Sequence, residues 1–315
     1  MPPVRPVALV VAALALLALP AAAGAATTKP KPRYYLSLGD SLSVGVQPGP
    51  ADDPGNRGRD ANTEEGYTDQ LYAKARKRLF PALKLVKAGC GGATTDSFIN
   101  GGPGVTGGPN CYPRRKLAYR NVSPRTSQLA YAERFLRSNR GRVAFVTVDI
   151  GNNNFTACAD NGVIDVACVA QGIQSLNEQL PAIAQRLRRA AGRSTPIVGA
   201  TFYQPFYSIW LQGGPQQQLA ETLQPTTQSV NEGIAAAYAT ARIKVAPIDR
   251  AFKSYVPFSQ TQPYQGLDPI PVSVATVCTY SWNCTPAPVG PNIHANETGY
   301  GVIASQFYAV LKAGL

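Results

Sequence analysis

Apolar and polar positions along this chain follow two alternating rhythms. Short runs rich in β-branched, aromatic and aliphatic residues read as strands: Tyr34 to Leu38, Leu83 to Ala88, Val143 to Val148, Pro196 to Thr201 and Ile243 to Ile248. The Val143 run is of the kind expected of a strand buried on both faces. Between them lie helical patterns over residues 65–79, 127–138, 170–191 and 216–241, the third bent or restarted at Pro181 and the fourth interrupted near Pro225. An apolar C-terminal stretch reads as a last helix. Strands alternating with helices predict an α/β fold with one five-stranded parallel sheet, doubly wound with right-handed crossovers.

Residues 251–291 break that rhythm. They are rich in Pro, Tyr, Gln and Ser and carry Cys278 and Cys284, so they read as a long insert ordered by a local disulfide. Its aromatic and aliphatic residues, Tyr264, Leu267, Ile270, Val272, Val274, Tyr280 and Trp282, either wall an acyl pocket or pack the loop on itself. The Pro/Gly/Asp/Asn-rich stretch from Asp52 to Asn62 and the glycine-rich stretch from Gly101 to Asn110 read as loops.

The N-terminus changes the picture of where the protein works. Arg5, the apolar run Val7 to Leu19, Pro20 and the small residues Ala21 to Ala26 have the form of a secretory signal over residues 1–25. The apolar core is too short for a membrane anchor. Roughly 290 residues follow, enough for one large domain, 26–315, with no composition shift to divide it. Six cysteines behind an export signal imply an oxidising compartment. They fall into three sequence-local couples, and sequential pairing is expected: Cys90–Cys111, Cys158–Cys168 and Cys278–Cys284. No spacing is Cys-x-x-Cys and one histidine is present, so neither a metal nor any other cofactor is expected.

Net charge is +12, with clusters at 74–78, 113–116 and 186–189. These clusters sit on separate predicted helices and a loop without interleaved aromatics, which speaks against nucleic acid and for solvated helix faces. In an exported protein the same charge suits contact with anionic envelope polymers or lipid surfaces.

Candidate chemistry begins with His294, the only histidine. It is the one side chain whose ordinary pKa suits proton transfer near neutrality, and it precedes the last helix. At the other end the first strand runs into Gly39-Asp40-Ser41, a tight turn that exposes a hydroxyl at the carboxyl edge of the sheet, where α/β folds bind ligands. Two further blocks end the second and third strands: Gly92-Ala93-Thr94 and Gly151-Asn152-Asn153-Asn154. In this order the four blocks resemble the GDSL, or SGNH, hydrolase family of esterases and lipases, over almost the whole mature chain. The resemblance implies a flavodoxin-like three-layer α/β/α fold and a serine ester hydrolase. It assigns Ser41 as nucleophile and His294 as base. It assigns an oxyanion hole to the Ser41 and Gly92 backbone N–H groups and the Asn153 side-chain amide.

Two positions depart from the family pattern. Asn154 stands where the third block normally has aspartate, and Pro291 stands three residues before the histidine, where the family has its acid. Proline keeps its carbonyl, so the Pro291 C=O is expected to accept the imidazole Nδ1–H. In this the chain resembles secreted actinobacterial-type members with a Ser-His dyad. Asp149, Asp249 and Asp268 are the alternative partners. The whole implies a secreted, monomeric carboxylic ester hydrolase acting through an acyl-serine intermediate on lipid or fatty-acyl esters. An acetylated-carbohydrate esterase and an envelope acyltransferase use the same residues, and an inactive envelope-binding domain is the reading of a different class.

Overall fold

The computed structural model describes residues 1–3, 33–50, 52, 55, 57–104, 117–156, 158–160 and 163–315. The chain divides into two units, Met1–Pro30 and Lys31–Leu315. Beyond residue 3 the expected export signal lies outside the described residues, as do Cys111 and the basic cluster 113–116.

Five strands form one parallel sheet: β1 (Arg33–Gly39), β2 (Leu83–Lys87), β3 (Val143–Asp149), β4 (Ile197–Ala200) and β5 (Lys244–Ala246). Their spatial order is β2-β1-β3-β4-β5, all pairs parallel. That is the flavodoxin-like doubly wound order, whose switch point falls between β1 and β3. Every residue of β3 is buried, as its unbroken apolar run requires of a central strand.

Helices cover both faces. On one side α1 (Tyr67–Arg78) and the C-terminal helix pack against Tyr35, Phe145 and Val198, with Tyr67 and Phe307 stacked at 4.8 Å. On the other lie α2 (Thr95–Asn100), α3 (Gln128–Ser138), α4 (Val166–Ala191) and α5 (Pro215–Ala239). There Leu129, Leu176, Leu180 and Ile234 meet Leu36, Leu38, Val146 and Val148. Neighbours in β1 thus serve opposite cores, the period-two signature of a strand. Both α4 and α5 run on through their internal prolines, so Pro181 and Pro225 do not divide them.

The insert is more regular than its composition suggests. It holds a hairpin, Thr261–Tyr264 against Leu267–Pro271, and helix α6 (Val272–Tyr280). Ile270, Val274, Ala275 and Val277 form a small core of their own with Tyr207. The segment Asp60–Asn62, expected as loop, pairs antiparallel with Val46–Pro48 just after the Gly-Asp-Ser turn. Of the basic clusters, Arg186 makes a two-pronged pair with Glu133 of α3 at 2.9 and 3.0 Å, and Arg188 holds the carbonyls of Gly192, Thr195 and Ala241. Those two side chains bind structure rather than cover a solvated face.

Cys158 bonds to Cys168 and Cys278 to Cys284, with Cα separations of 5.5 and 5.0 Å. The second bond ties α6 to the loop from which the histidine block hangs. Closing so short a loop restricts the unfolded chain modestly. The double variant Cys278→Ala/Cys284→Ala is expected to lose about 2 kcal/mol, read as a lower urea midpoint at unchanged slope.

Candidate active site

The Gly39-Asp40-Ser41 turn is seated by close contact with the end of β3. Gly39 pairs with Asp149 in the β1–β3 register and has φ +136°, and a Cβ there would lie 2.2 Å from the Asp149 carbonyl oxygen. Only glycine permits both the angle and the approach. The Gln128 amide then clamps Gly39, its oxygen accepting the Gly39 N–H at 2.7 Å and its nitrogen donating to the Gly39 C=O at 3.0 Å. Asp40 donates its N–H to Asp149 O at 3.1 Å, and the Ser41 carbonyl accepts from Val46 N–H at 3.0 Å. Ser41 itself is half-buried, and its hydroxyl has no hydrogen-bond partner among the described residues.

The histidine block reaches the same place from the opposite end of the chain. Ser281 bridges Ala295, Trp282 N–H donates to His294 O at 3.0 Å, and Tyr203 donates its hydroxyl to Ile293 O at 2.6 Å. Asn296 caps helix α7 (Glu297–Lys312) through Gly299 N–H. Ser41, Asn153 and His294 line one cleft of ≈ 340 Å³, together with Asp40, Phe202 and Tyr203. Gly92 is not among the lining residues. It takes φ +75°, and the next carbonyl, Ala93 O, accepts Asn153 Nδ2–H at 3.1 Å. Neither the Ser41 nor the Gly92 N–H donates to a described residue. Asn154 is turned away, its amide oxygen accepting from Thr95 N–H at 2.9 Å and its nitrogen donating to Thr95 Oγ1 at 2.6 Å. It fastens α2 beside the cleft instead of carrying charge into it.

The expected partner of His294 is displaced by one residue. Nδ1 lies 2.8 Å from Asn292 Oδ1, which also accepts the His294 backbone N–H at 2.9 Å, and no bond to the Pro291 carbonyl forms. The side-chain amide wins because one oxygen, two residues upstream, satisfies two donors at once. Asn292 Nδ2 in turn donates to Asp60 Oδ1 at 2.6 Å, and Asp60 Oδ2 stands 3.6 Å from Nδ1. The other carboxylates weighed for this task are engaged or distant: Asp249 accepts from Thr201 and Tyr255, Asp149 accepts from Tyr67, and Asp268 is exposed. Burial pulls the imidazole below its ordinary pKa, and Asp60 partly opposes that.

These blocks, in this order on this sheet, match the family model "GDSL-like Lipase/Acylhydrolase" over residues 35–307. The chain belongs to the GDSL-like lipase/acylhydrolase family. GDSL-like enzymes are serine ester hydrolases. The chain is also similar to an extracellular lipase of Streptomyces rimosus, at 17% identity and TM-score 0.46 over 90% of this chain and 100% of that one. It is similar to an acetylxylan esterase of Geobacillus stearothermophilus, at 12% identity and TM-score 0.49 over 89% and 94%. A G-D-S-L family protein of Veillonella parvula matches at 14% identity and TM-score 0.43 over 88% and 97%. No curated protein sequence matches the chain. Sequence reasoning missed Asp60 and Asn292. Asn292 was within reach as the amide two residues before the histidine, whereas Asp60 in its polar loop gave no local signal.

Beneath the GDSL turn lies a second feature, a pair of buried carboxyls. Burial pushes Asp40 up to about 6. Burial, and then the Asp40 charge, push Asp149 well above the carboxylate range. Asp149 Oδ1 accepts from Tyr67 at 2.5 Å while Oδ2 has no donor among the described residues, the arrangement a protonated carboxyl suits. With folded pKa values raised, the native state binds the extra proton. This stability is complete below about pH 4, the unfolded value, and is lost as pH rises through about 6. Asp149→Asn keeps the Tyr67 bond and donates permanently to Asp40. It is expected to remove roughly 1–3 kcal/mol of the decline, read by thermal unfolding as a flatter Tm profile between pH 5 and 8 than wild type.

Proposed function

We propose that the protein is an exported carboxylic ester hydrolase that forms an acyl-Ser41 intermediate and prefers fatty-acyl esters. His294 Nε2 takes the Ser41 proton as Oγ bonds to the ester carbonyl carbon. The oxyanion is met by the Ser41 and Gly92 N–H groups and by the free proton of Asn153 Nδ2. Collapse breaks the ester C–O bond, and the imidazolium returns its proton to the departing alcohol. A water activated the same way then releases the carboxylic acid. Export is supported by the signal-like N-terminus and by the two disulfides.

The observation that carries the acyl preference is a second, mainly apolar cavity that shares Asn152, Phe202 and Tyr203 with the catalytic cleft. Its walls are apolar, among them Phe155, Ile173, Phe206, Leu223 and Val230. The insert residues weighed for this wall lie elsewhere, with Ile270 and Val274 spent on the small core around Tyr207. The acyl walls come instead from the segment after Asn153 and from α4, α5 and the turn after β4.

A fluorophosphonate probe should label the wild type and leave Ser41→Ala unlabelled, and equal labelling or none in both would overturn the serine mechanism. In a p-nitrophenyl ester series, octanoate should exceed acetate in kcat/KM by roughly tenfold or more, since each methylene buried contributes about 0.8 kcal/mol. Ile173→Trp, which fills the cavity, should remove that advantage and spare acetate. A short-chain optimum in wild type would favour an acetylated-carbohydrate substrate instead.

A further inference from the structure

The hydrogen bonds around His294 leave little freedom in how protons are arranged. A backbone N–H can only donate, so the Asn292 atom facing the His294 N–H at 2.9 Å is the amide oxygen. A carboxylate can only accept, so the Asn292 atom facing Asp60 at 2.6 Å is the amide nitrogen. These two neighbours orient the amide independently and agree. Because Nδ1 then faces an oxygen at 2.8 Å, Nδ1 carries the proton and Nε2 is left bare, the tautomer a general base requires.

We propose that Asp60 and Asn292 together are the positioning pair of this active site, an acid 3.6 Å from the imidazole Nδ1 and bridged to it by an amide. Asn292 fixes the ring and its tautomer, and Asp60 polarises the amide and supplies the negative charge that favours imidazolium when Ser41 gives up its proton. No proton reaches Asp60 in the cycle, because the Nδ1–H stays donated to the Asn292 oxygen while Nε2 gains and returns the Ser41 proton. The inference rests on the reading of Ser41 and His294 as nucleophile and base.

The placement of Asp60 follows from the fold. It opens the strand Asp60–Asn62, which pairs Pro48↔Asp60 with the strand that leaves the nucleophile turn. One hairpin therefore holds both the nucleophile and the acid, while the histidine arrives from the C-terminus. Asn292 is tied from the other side, its N–H donating to Trp282 O at 3.2 Å, and Trp282 Nε1 reaches Gln47 Oε1 at 3.2 Å on that same hairpin. Of the residues lining the cleft Asp40 is the one carboxylate, and it is engaged with Asp149 beneath the turn, whereas Asp60 stands beside the ring, 3.6 Å from Nδ1. Asp60 is the charge that acts on the imidazole.

Because the chain has one histidine, NMR of the untagged protein reports its titration without assignment. Asp60→Asn, which keeps the shape and removes the charge, should lower the His294 midpoint by about 1 pH unit. It should also reduce kcat on the order of tenfold with KM little changed. The acidic limb of the pH–rate profile should move down with the NMR midpoint. Asn292→Ala should cost more in kcat, because the tautomer is no longer held. The exchanged variant Asp60→Asn/Asn292→Asp puts the carboxylate directly on Nδ1 and the amide behind it, and should return the midpoint to the wild-type value or above. Unchanged midpoint and kcat in Asp60→Asn, or an exchanged variant that titrates like Asp60→Asn alone, overturns the proposal. If no ester is hydrolysed yet the midpoint follows Asp60 as expected, the pairing stands and the ester reading is what fails.

Discussion

The contact on which the site depends is that of Gly39 with the end of β3. The first strand must stop, reverse and present Ser41 within a few residues, at the sheet edge where β1 and β3 diverge. It does so because the Asp149 backbone approaches Gly39 closer than any side chain would allow. Gln128 then satisfies both backbone groups of Gly39, so the turn is held from the helical layer as well as from the sheet. Everything else in the cleft is measured from that fixed point: Asn153 from the loop after β3, Asp60 from the hairpin that the turn launches, and His294 from the loop before α7. A similar device recurs after β4, where the Asn231 amide accepts from Phe202 N–H at 2.8 Å and donates to Phe202 O at 2.9 Å. Phe202 lines both the cleft and the apolar cavity beside it, and its backbone is clamped like that of Gly39.

What could be read in the sequence was what repeats or stands next to itself. The strands announce themselves as apolar runs because a central parallel strand is buried on both faces, and the helices by their period. Ser41, Asn153 and His294 were legible because each sits in a short block at a strand end or before a helix. The Pro291 carbonyl was the wrong partner because reasoning along the chain favours the position where the family keeps its acid. The hydrogen bonds show a side chain one residue on reaching back over its own turn. Asp60 was illegible for a deeper reason: it is 232 residues from Asn292, and only the closed sheet brings them together. The acyl wall failed likewise. Ile270 and Val274 are apolar on any reading, but whether they face substrate or one another depends on how the insert folds back on Tyr207.

The electrostatics of the cleft share one direction. A developing oxyanion near Ser41 is best served by donors overhead and little negative charge below. Two buried carboxyls meet beneath the turn, Asp40 and Asp149; burial raises both, and the Asp40 charge raises Asp149 further, so the pair favours keeping a proton. The pair therefore presents one negative charge where two would oppose the reaction, and Tyr67 binds the far oxygen. On the histidine side the negative charge is kept: Asp60 Oδ2 stands 3.6 Å from Nδ1, and Asn292 bridges the two groups. Burial lowers the imidazole pKa, and the nearby Asp60 charge restores part of it. Asn154 fits the same economy, since an aspartate there would add a third carboxylate beside Asn153. The two departures from the family pattern, at 154 and 291, fit together on that reading: no charge stands beside Asn153, and the charge near the imidazole comes from Asp60, bridged to it by Asn292.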